Sequence, residues 1–249
     1  MTAMAATREV ELANALAAVR KRLALAAQAA GRDIGDIELL PITKFFPATD
    51  VLILWHLGCH SFGESREQEA AAKSAECNSA EPDSPIRWHM VGRIQRNKAR
   101  SIANWAYAAH SVDSARVIAA LDRASSGALD EGVRSDPLRV YIQISLDGDA
   151  ERGGVDIARP DLVDELCAQV HSARGLQFVG LMGIPPLGSD DDEAYARLQA
   201  EHQRVQAAYQ QRLGLSAGMS GDLEAAVKHG STCVRVGTAL LGQRPLPSP

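Results

Sequence analysis

The sequence predicts an α/β protein built as a single (β/α)8 TIM-type barrel with an extra N-terminal helix. Short apolar, β-like runs alternate with longer amphipathic stretches about eight times along the chain, and eight strand–helix units is the number that closes a parallel barrel. The chain has 249 residues, long for an average domain but ordinary for one barrel. Its first strand runs into Thr43-Lys44-Phe45-Phe46-Pro47 without a G-x-G-x-x-G, the fingerprint that often follows the first strand of a doubly wound sheet. One domain is therefore expected over 1–249, with 1–6 and 245–249 as frayed tails, because PLPSP cannot continue a helix.

The opening helix is read over 8–29, where Val10, Leu12, Leu16, Val19 and Leu23 fall close to helical spacing and Gly31 stops it. Strands follow at 37–43 (IELLPIT), 60–63, 86–92 (IRWHMVG) and 106–110. Further strands are read at 138–146 (LRVYIQISL), 176–184 (LQFVGLMGI), 215–219 and 232–236. Helical patterns lie between them at 49–57, 65–76, 95–104, 114–124, 160–173, 191–212 and 220–229, with a short last one from 238. The turn-rich segments 78–85, 125–137 and 185–192 are too short to link domains. Apart from the unit alternation there is no internal repeat.

Composition excludes several classes of function. Hydrophobic residues make up 46% of the chain, enough for a sizeable core, and the formal net charge is −5, which gives no electrostatic footprint for nucleic acid or an anionic membrane. The four cysteines, Cys59, Cys77, Cys167 and Cys233, are scattered and form no C-x-x-C pair, so neither a zinc site nor a redox motif is signalled. His56 and His60 are separated by Gly58, which argues against a metal pair on one helix. The N-terminus lacks a basic stretch followed by an apolar one, and no apolar run reaches the roughly 18–20 residues of a membrane span. The expectation is a cytoplasmic protein, a monomer or weak dimer, with no metal and no nucleic-acid or membrane partner.

Four places carry residues suited to chemistry. Lys44 follows the first strand at what should be its C-terminal end, the end that faces a barrel's active-site mouth. An amine desolvated there is a nucleophile suited to imine formation, although a lone lysine closing a strand is more often simply solvated. Ser220-Gly221-Asp222 opens a helix, with Ser220 as the expected N-cap and free N–H groups behind it. Gly237-Thr238 follows the last strand, where glycine permits close backbone approach and threonine adds a hydroxyl. These two loops follow strands seven and eight, where barrels most often bind phosphate. Arg235 lies between Val234 and Val236, and alternation points the valines at the helices and the arginine at the barrel interior. Its acceptor is either an acidic side chain or a ligand ring nitrogen. Weaker signals are Glu64 and Ser65, which end the second strand and can face the mouth, and the segment around the third strand. His89 lies on the third strand, as a hydrogen-bonded core histidine, before Gln95, Asn97 and Lys98.

The segments PITK, FGESREQEA, WHMVGRIQRNK, GLMGIPP, GMSGDLEAAVKHG and VRVGTALLG occur in this order between about 37 and 243. Together they resemble the pyridoxal phosphate homeostasis protein family, relatives of the N-terminal barrel of alanine racemase. The resemblance implies pyridoxal 5′-phosphate as cofactor, with Lys44 as its Schiff-base lysine. It implies that Ser220, Gly237 and Thr238 hold the phosphate and that Arg235 faces the pyridine nitrogen. Ser65 stands where the family usually has Asn, and Arg93 where it usually has His. With Ser65 included, the expected cofactor-binding set is Lys44, Ser65, Ser220, Arg235, Gly237 and Thr238. The expected function is to buffer or deliver the cofactor, possible recipients being apo-enzymes that depend on it, without robust turnover. A cation at the ring nitrogen weakens the cofactor as an electron sink. The chain also stops just after the last barrel unit, so the second domain that completes a racemase site is expected to be absent. The rival readings are an amino-acid racemase, a Schiff-base aldolase, or a phosphosugar-binding barrel in which Lys44 only pairs charge.

Overall fold

Apolar runs long enough to be buried on both faces form strands, and the chain returns to the same end of each through a helix or loop, so the strands pair in parallel. The computed structural model describes residues 3–82, 85–149 and 151–243. Its strands are β1 (Glu38–Pro41), β2 (Ser61–Glu64), β3 (Arg87–Met90), β4 (Ala108–Val112), β5 (Leu138–Ser145), β6 (Val155–Asp156), β7 (Leu176–Gly183), β8 (Gly214–Ser216) and β9 (Cys233–Val236). The order is β1-β9-β8-β7-β5-β4-β3-β2, with the two-residue β6 added on β5. Closure occurs between β1 and β2. Ile42 bridges Gly63 in parallel, and the Thr43 N–H donates to the Gly63 carbonyl at 3.0 Å. A Cβ at Gly63 would sit 2.4 Å from Ile42 Cδ1, so a larger residue there would force the Ile42 side chain to move. The result is a nearly closed barrel of eight parallel strands, as the alternation predicts.

Helices α1 (Ala3–Ala29), α2 (Ala48–His56), α3 (Glu67–Ala80), α4 (Ala99–Trp105), α5 (Ala115–Asp130), α6 (Pro160–Ser172), α7 (Asp191–Gln206), α8 (Leu223–Lys228) and α9 (Thr238–Leu241) surround the strands. Helix α1 is the extra element. It buries Leu12, Leu16, Val19 and Leu23 in one cluster with residues of α2, α8, α9 and β9, which covers the seam where the chain's first and last strands meet. Val10, expected on that apolar stripe, points to solvent. Arg8 and Arg32 pin the two ends, Arg8 to Asp50 and the Leu241 carbonyl, and Arg32 to the carbonyls of Val227 and Ser231. A larger apolar cluster packs β4, β5, β7 and β8 against α4 to α7. Among the described residues no helix is long and apolar enough to cross a membrane.

Several boundaries differ from the sequence reading, each for a local reason. Helix α3 continues through Asn78-Ser79 to Ala80, and the Ser79 hydroxyl donates back within the helix to the Ala75 carbonyl at 2.9 Å. Helix α5 continues through Ser125 and Gly127 to Asp130; Ser125 is buried, and its oxygen accepts the Leu138 N–H. Helix α7 stops at Gln206 rather than 212. The Gln206 amide donates to the carbonyls of Tyr209 and Gln211 and accepts the Leu213 N–H at 2.7 Å, winding the chain into a turn around one side chain. Strand β6 has too few residues to leave a periodic signal. Residues 1, 2 and 245–249 of the expected tails lie outside the described residues.

Candidate functional site

A cavity of about 400 Å³ opens at the C-terminal end of the strands, and Lys44, Ser65, Ser220, Arg235, Gly237 and Thr238 all line it. That volume is within the range of small-ligand sites. Ile42, Val91, Ile184 and Met219 supply apolar wall, and Phe45 and Phe46 stand beside Lys44. Gln95, Lys98 and Arg93 line a neighbouring depression that shares only Ser65 with it, where Lys98 pairs with Glu67 at 3.2 Å.

Lys44 is partly buried and lies in the turn after β1, three positions beyond Pro41. Beneath it is a buried polar group that the sequence reading did not assemble. Lys73 of α3 donates to the Thr43 carbonyl at 2.8 Å and to Glu64 Oε1 at 2.6 Å, while Thr43 Oγ1 donates to the same oxygen at 2.7 Å. Burial pushes the Glu64 carboxyl above its ordinary pKa against the pull of Lys73. Ser65 follows directly. Its carbonyl would lie 2.0 Å from any Cβ at Gly92, so glycine is what lets the loops after β2 and β3 touch.

The loops after β8 and β9 meet across the mouth. Ser220 does not cap α8 as expected. That helix starts at Leu223 behind Asp222, whose carboxylate accepts the Met219 N–H and the Tyr195 hydroxyl. Ser220 Oγ instead accepts the Ala239 N–H at 3.2 Å, in the first turn of α9. One hydroxyl thus ties the two loops together. The N–H groups of Ser220, Gly221 and Gly237 meet no acceptor among the described residues. A Cβ at Gly221 would meet nothing within 4 Å, and one at Gly237 nothing closer than 3.6 Å. The loops therefore leave open space bounded by hydroxyls and backbone donors.

Arg235 points inward from β9 while Val234 and Val236 pack with α1, as alternation predicts. No acid pairs with it among the described residues: Nη1 donates to Ser216 Oγ at 2.6 Å and Nη2 to the Gly183 carbonyl at 3.0 Å. Burial lowers its pKa from the ordinary value, but a guanidinium remains a donor-only cation. A chain of hydrogen-bonded side chains continues below it. Ser216 Oγ, accepting from Arg235, is hydrogen-bonded to His110 Nδ1 at 2.8 Å, and His110 Nε2 to His89 Nδ1 at 2.9 Å. Burial pushes the pKa of His89 down to about 4 and that of His110 well below its ordinary value, so both rings are neutral. His89 is the hydrogen-bonded core histidine the sequence suggested, with its Nε2 left without a partner.

The chain is similar to known proteins over nearly its whole length. The model of the alanine racemase N-terminal domain family matches residues 15–245. The chain is 66% identical over 248 residues to a pyridoxal phosphate homeostasis protein of Mycobacterium tuberculosis, covering 97% of this chain and 96% of that one. It is 47% identical over 216 residues to the protein of that name from Corynebacterium glutamicum, covering 86% and 94%. Among solved structures, PipY of Synechococcus elongatus with pyridoxal phosphate bound superposes with a TM-score of 0.76 at 31% identity, covering 93% of this chain and all of that one. Alanine racemase of Corynebacterium glutamicum shares the fold, with a TM-score of 0.64 at 15% identity over 93% of this chain and 62% of the racemase. The chain belongs to the pyridoxal phosphate homeostasis protein family, within the wider alanine racemase N-terminal domain family.

Proposed function

We propose that this barrel binds pyridoxal 5′-phosphate as a Schiff base on Lys44 and serves to buffer the cofactor and deliver it to apo-enzymes. One observation carries the reading. Lys44, Arg235 and the Ser220/Gly237–Thr238 loops, up to 194 positions apart in the chain, line one cavity. Their chemistry fits the cofactor part by part. The open space over Gly221 and Gly237, with the free N–H groups and the hydroxyls of Ser220 and Thr238, suits a phosphate dianion. The apolar wall of Ile42, Val91 and Met219 suits the faces of a ring. Arg235 suits an unprotonated ring nitrogen, because it can donate to that nitrogen but cannot accept from it.

When bound, the cofactor supplies an aldehyde for imine exchange and a ring that accepts electron density. The chain's own residues bind and orient it. Lys73 does not compete with Lys44 as the amine, since its three donors face the Thr43 carbonyl, Glu64 and Glu69. The relatives' name and the cofactor in PipY support the same ligand. The assay for the role is transfer. Loaded protein mixed with an apo-enzyme that needs the cofactor should restore its activity while losing its own visible absorbance. Retention of the cofactor with no activation of any apo-enzyme would contradict delivery.

A further inference from the structure

We propose that Glu69 and Lys73 are positioning residues for Lys44, gripping the two peptide groups on either side of it and holding Phe45 in the backbone conformation that aims the lysine into the cavity. This rests on the reading of Lys44 as the cofactor-linked residue.

The grip is made from successive turns of one helix. Glu69 and Lys73 are four apart on α3 and so share a face. Lys73 Nζ donates at 2.8 Å to the Thr43 carbonyl, which belongs to the peptide preceding Lys44. Glu69 Oε1 accepts at 2.6 Å the Phe45 N–H, which belongs to the peptide following it. The two side chains also meet each other at 3.3 Å. Glu64, fully buried, anchors Lys73 from below, and Thr43 is tied to both Glu64 and Gly63. Lys44 is therefore held on both sides by groups that are themselves fixed.

Phe45 shows what the grip opposes. Its φ is 70°, and it is the only residue other than glycine at positive φ among the described residues. A side chain with a bulky Cβ substituent is disfavoured in that region, so such a residue persists only where its surroundings impose it. The charge-assisted bond from Phe45 N–H to Glu69 is the most direct restraint, and the Arg66 guanidinium lies 5.0 Å from the Phe45 ring centre. A buried ion pair is weak evidence for stability alone, since apolar residues often serve as well. A buried pair and a left-handed phenylalanine at one turn, around the one lysine that lines the cavity, point to placement of that amine.

The test uses the full chain loaded with pyridoxal phosphate, following release of the cofactor by its visible absorbance and thermal stability in parallel. E69A should speed release on the order of tenfold, equivalent to about 1.4 kcal/mol. E69Q keeps an oxygen acceptor for the Phe45 N–H and should stay within about threefold of the parent. Glycine adopts a φ of 70° without strain, so in the F45G background E69A should cost less than about threefold further. If E69A releases the cofactor like the parent, or loses the same factor in both backgrounds, the proposal is overturned. A fall in melting temperature with an unmoved release rate also overturns it, since that is what a merely structural role gives. Borohydride trapping on the parent separates the two claims. Labelling of Lys44 with no effect of E69A sinks only the clamp, whereas labelling elsewhere sinks the reading of Lys44 and the clamp with it.

Discussion

Changing Gly237 tests the phosphate cradle most sharply, because the structure says how the free protein would tolerate the change. Gly237 has φ −109°, open to any residue, and a Cβ there would lie 3.6 Å from the nearest atoms, Cβ and the carbonyl oxygen of Ile42. That is ordinary contact, so G237A should fold with a stability within about 0.5 kcal/mol of the parent. In G237V the two further carbons extend toward Ile42 or into the space bounded by Ser220 and Thr238. They would block approach of a phosphate to the Gly237 N–H. T238A removes a single hydroxyl donor to a charged group, worth about 1.5–3 kcal/mol, so its Kd should rise by roughly ten- to a hundredfold. G237V should exceed a hundredfold, on the order of 3 kcal/mol or more, because several donors lose the phosphate together. The assay is absorbance titration of apo-protein with pyridoxal phosphate and, in parallel, with pyridoxal, which lacks the phosphate. The variants should differ from the parent for the first ligand and match it for the second. Equal affinity of G237V and parent for pyridoxal phosphate, or equal losses for both ligands, would refute the cradle.

Two further outcomes are expected. His89 has its pKa pushed down to about 4 from the ordinary 6.5 because burial disfavours the imidazolium; the unfolded chain therefore takes up the proton first as pH falls, and stability is lost between those two values. From pH 7 to 4.5 this one group should cost about 2 kcal/mol of unfolding free energy, a loss that urea denaturation should find reduced in H89Q, and an identical pH dependence in both proteins would show that His89 is not the cause. Arg235 leaves the ring nitrogen unprotonated, and among the described residues lining the cavity Lys44 is the only acid–base group besides it, whereas racemisation needs a second such group on the opposite face of the substrate. Loaded protein should therefore racemise alanine no faster than free cofactor does, and racemisation well above that rate, abolished by K44A, would favour an enzyme.

How far the sequence reveals this molecule depends on the range of the interactions involved. Alternation along each strand is local, and it places Arg235 inside the barrel with Val234 and Val236 outside. The position of Lys44 follows from the end of one apolar run, and the pairing of the Ser220 and Gly237 loops follows from barrel order. The partners of these residues do not follow. Ser216 and His110 are 106 positions apart and meet only because β8 and β4 face the same interior. Ser220 has the composition of a local N-cap, but it serves a helix that begins 18 positions later, because Asp222 occupies the turn before α8. Glu69 and Lys73 do carry a local signal in their spacing of four. It reads as an ordinary surface ion pair until α3 is seen packed under the Lys44 turn. Asn78-Ser79 and Ser125-Ser126-Gly127 suggest turns when taken alone, whereas in the fold the three serine hydroxyls find partners and the helices continue.

Borohydride reduction of the cofactor-loaded protein, followed by peptide mass mapping, tests the central claim most directly. The account predicts a pyridoxyl group on the peptide containing Lys44, at close to one per chain, and none on Lys73, whose amine is buried and saturated with acceptors. A pyridoxyl group found on Lys73 or another lysine, or loaded protein from which reduction fixes no cofactor, would contradict it.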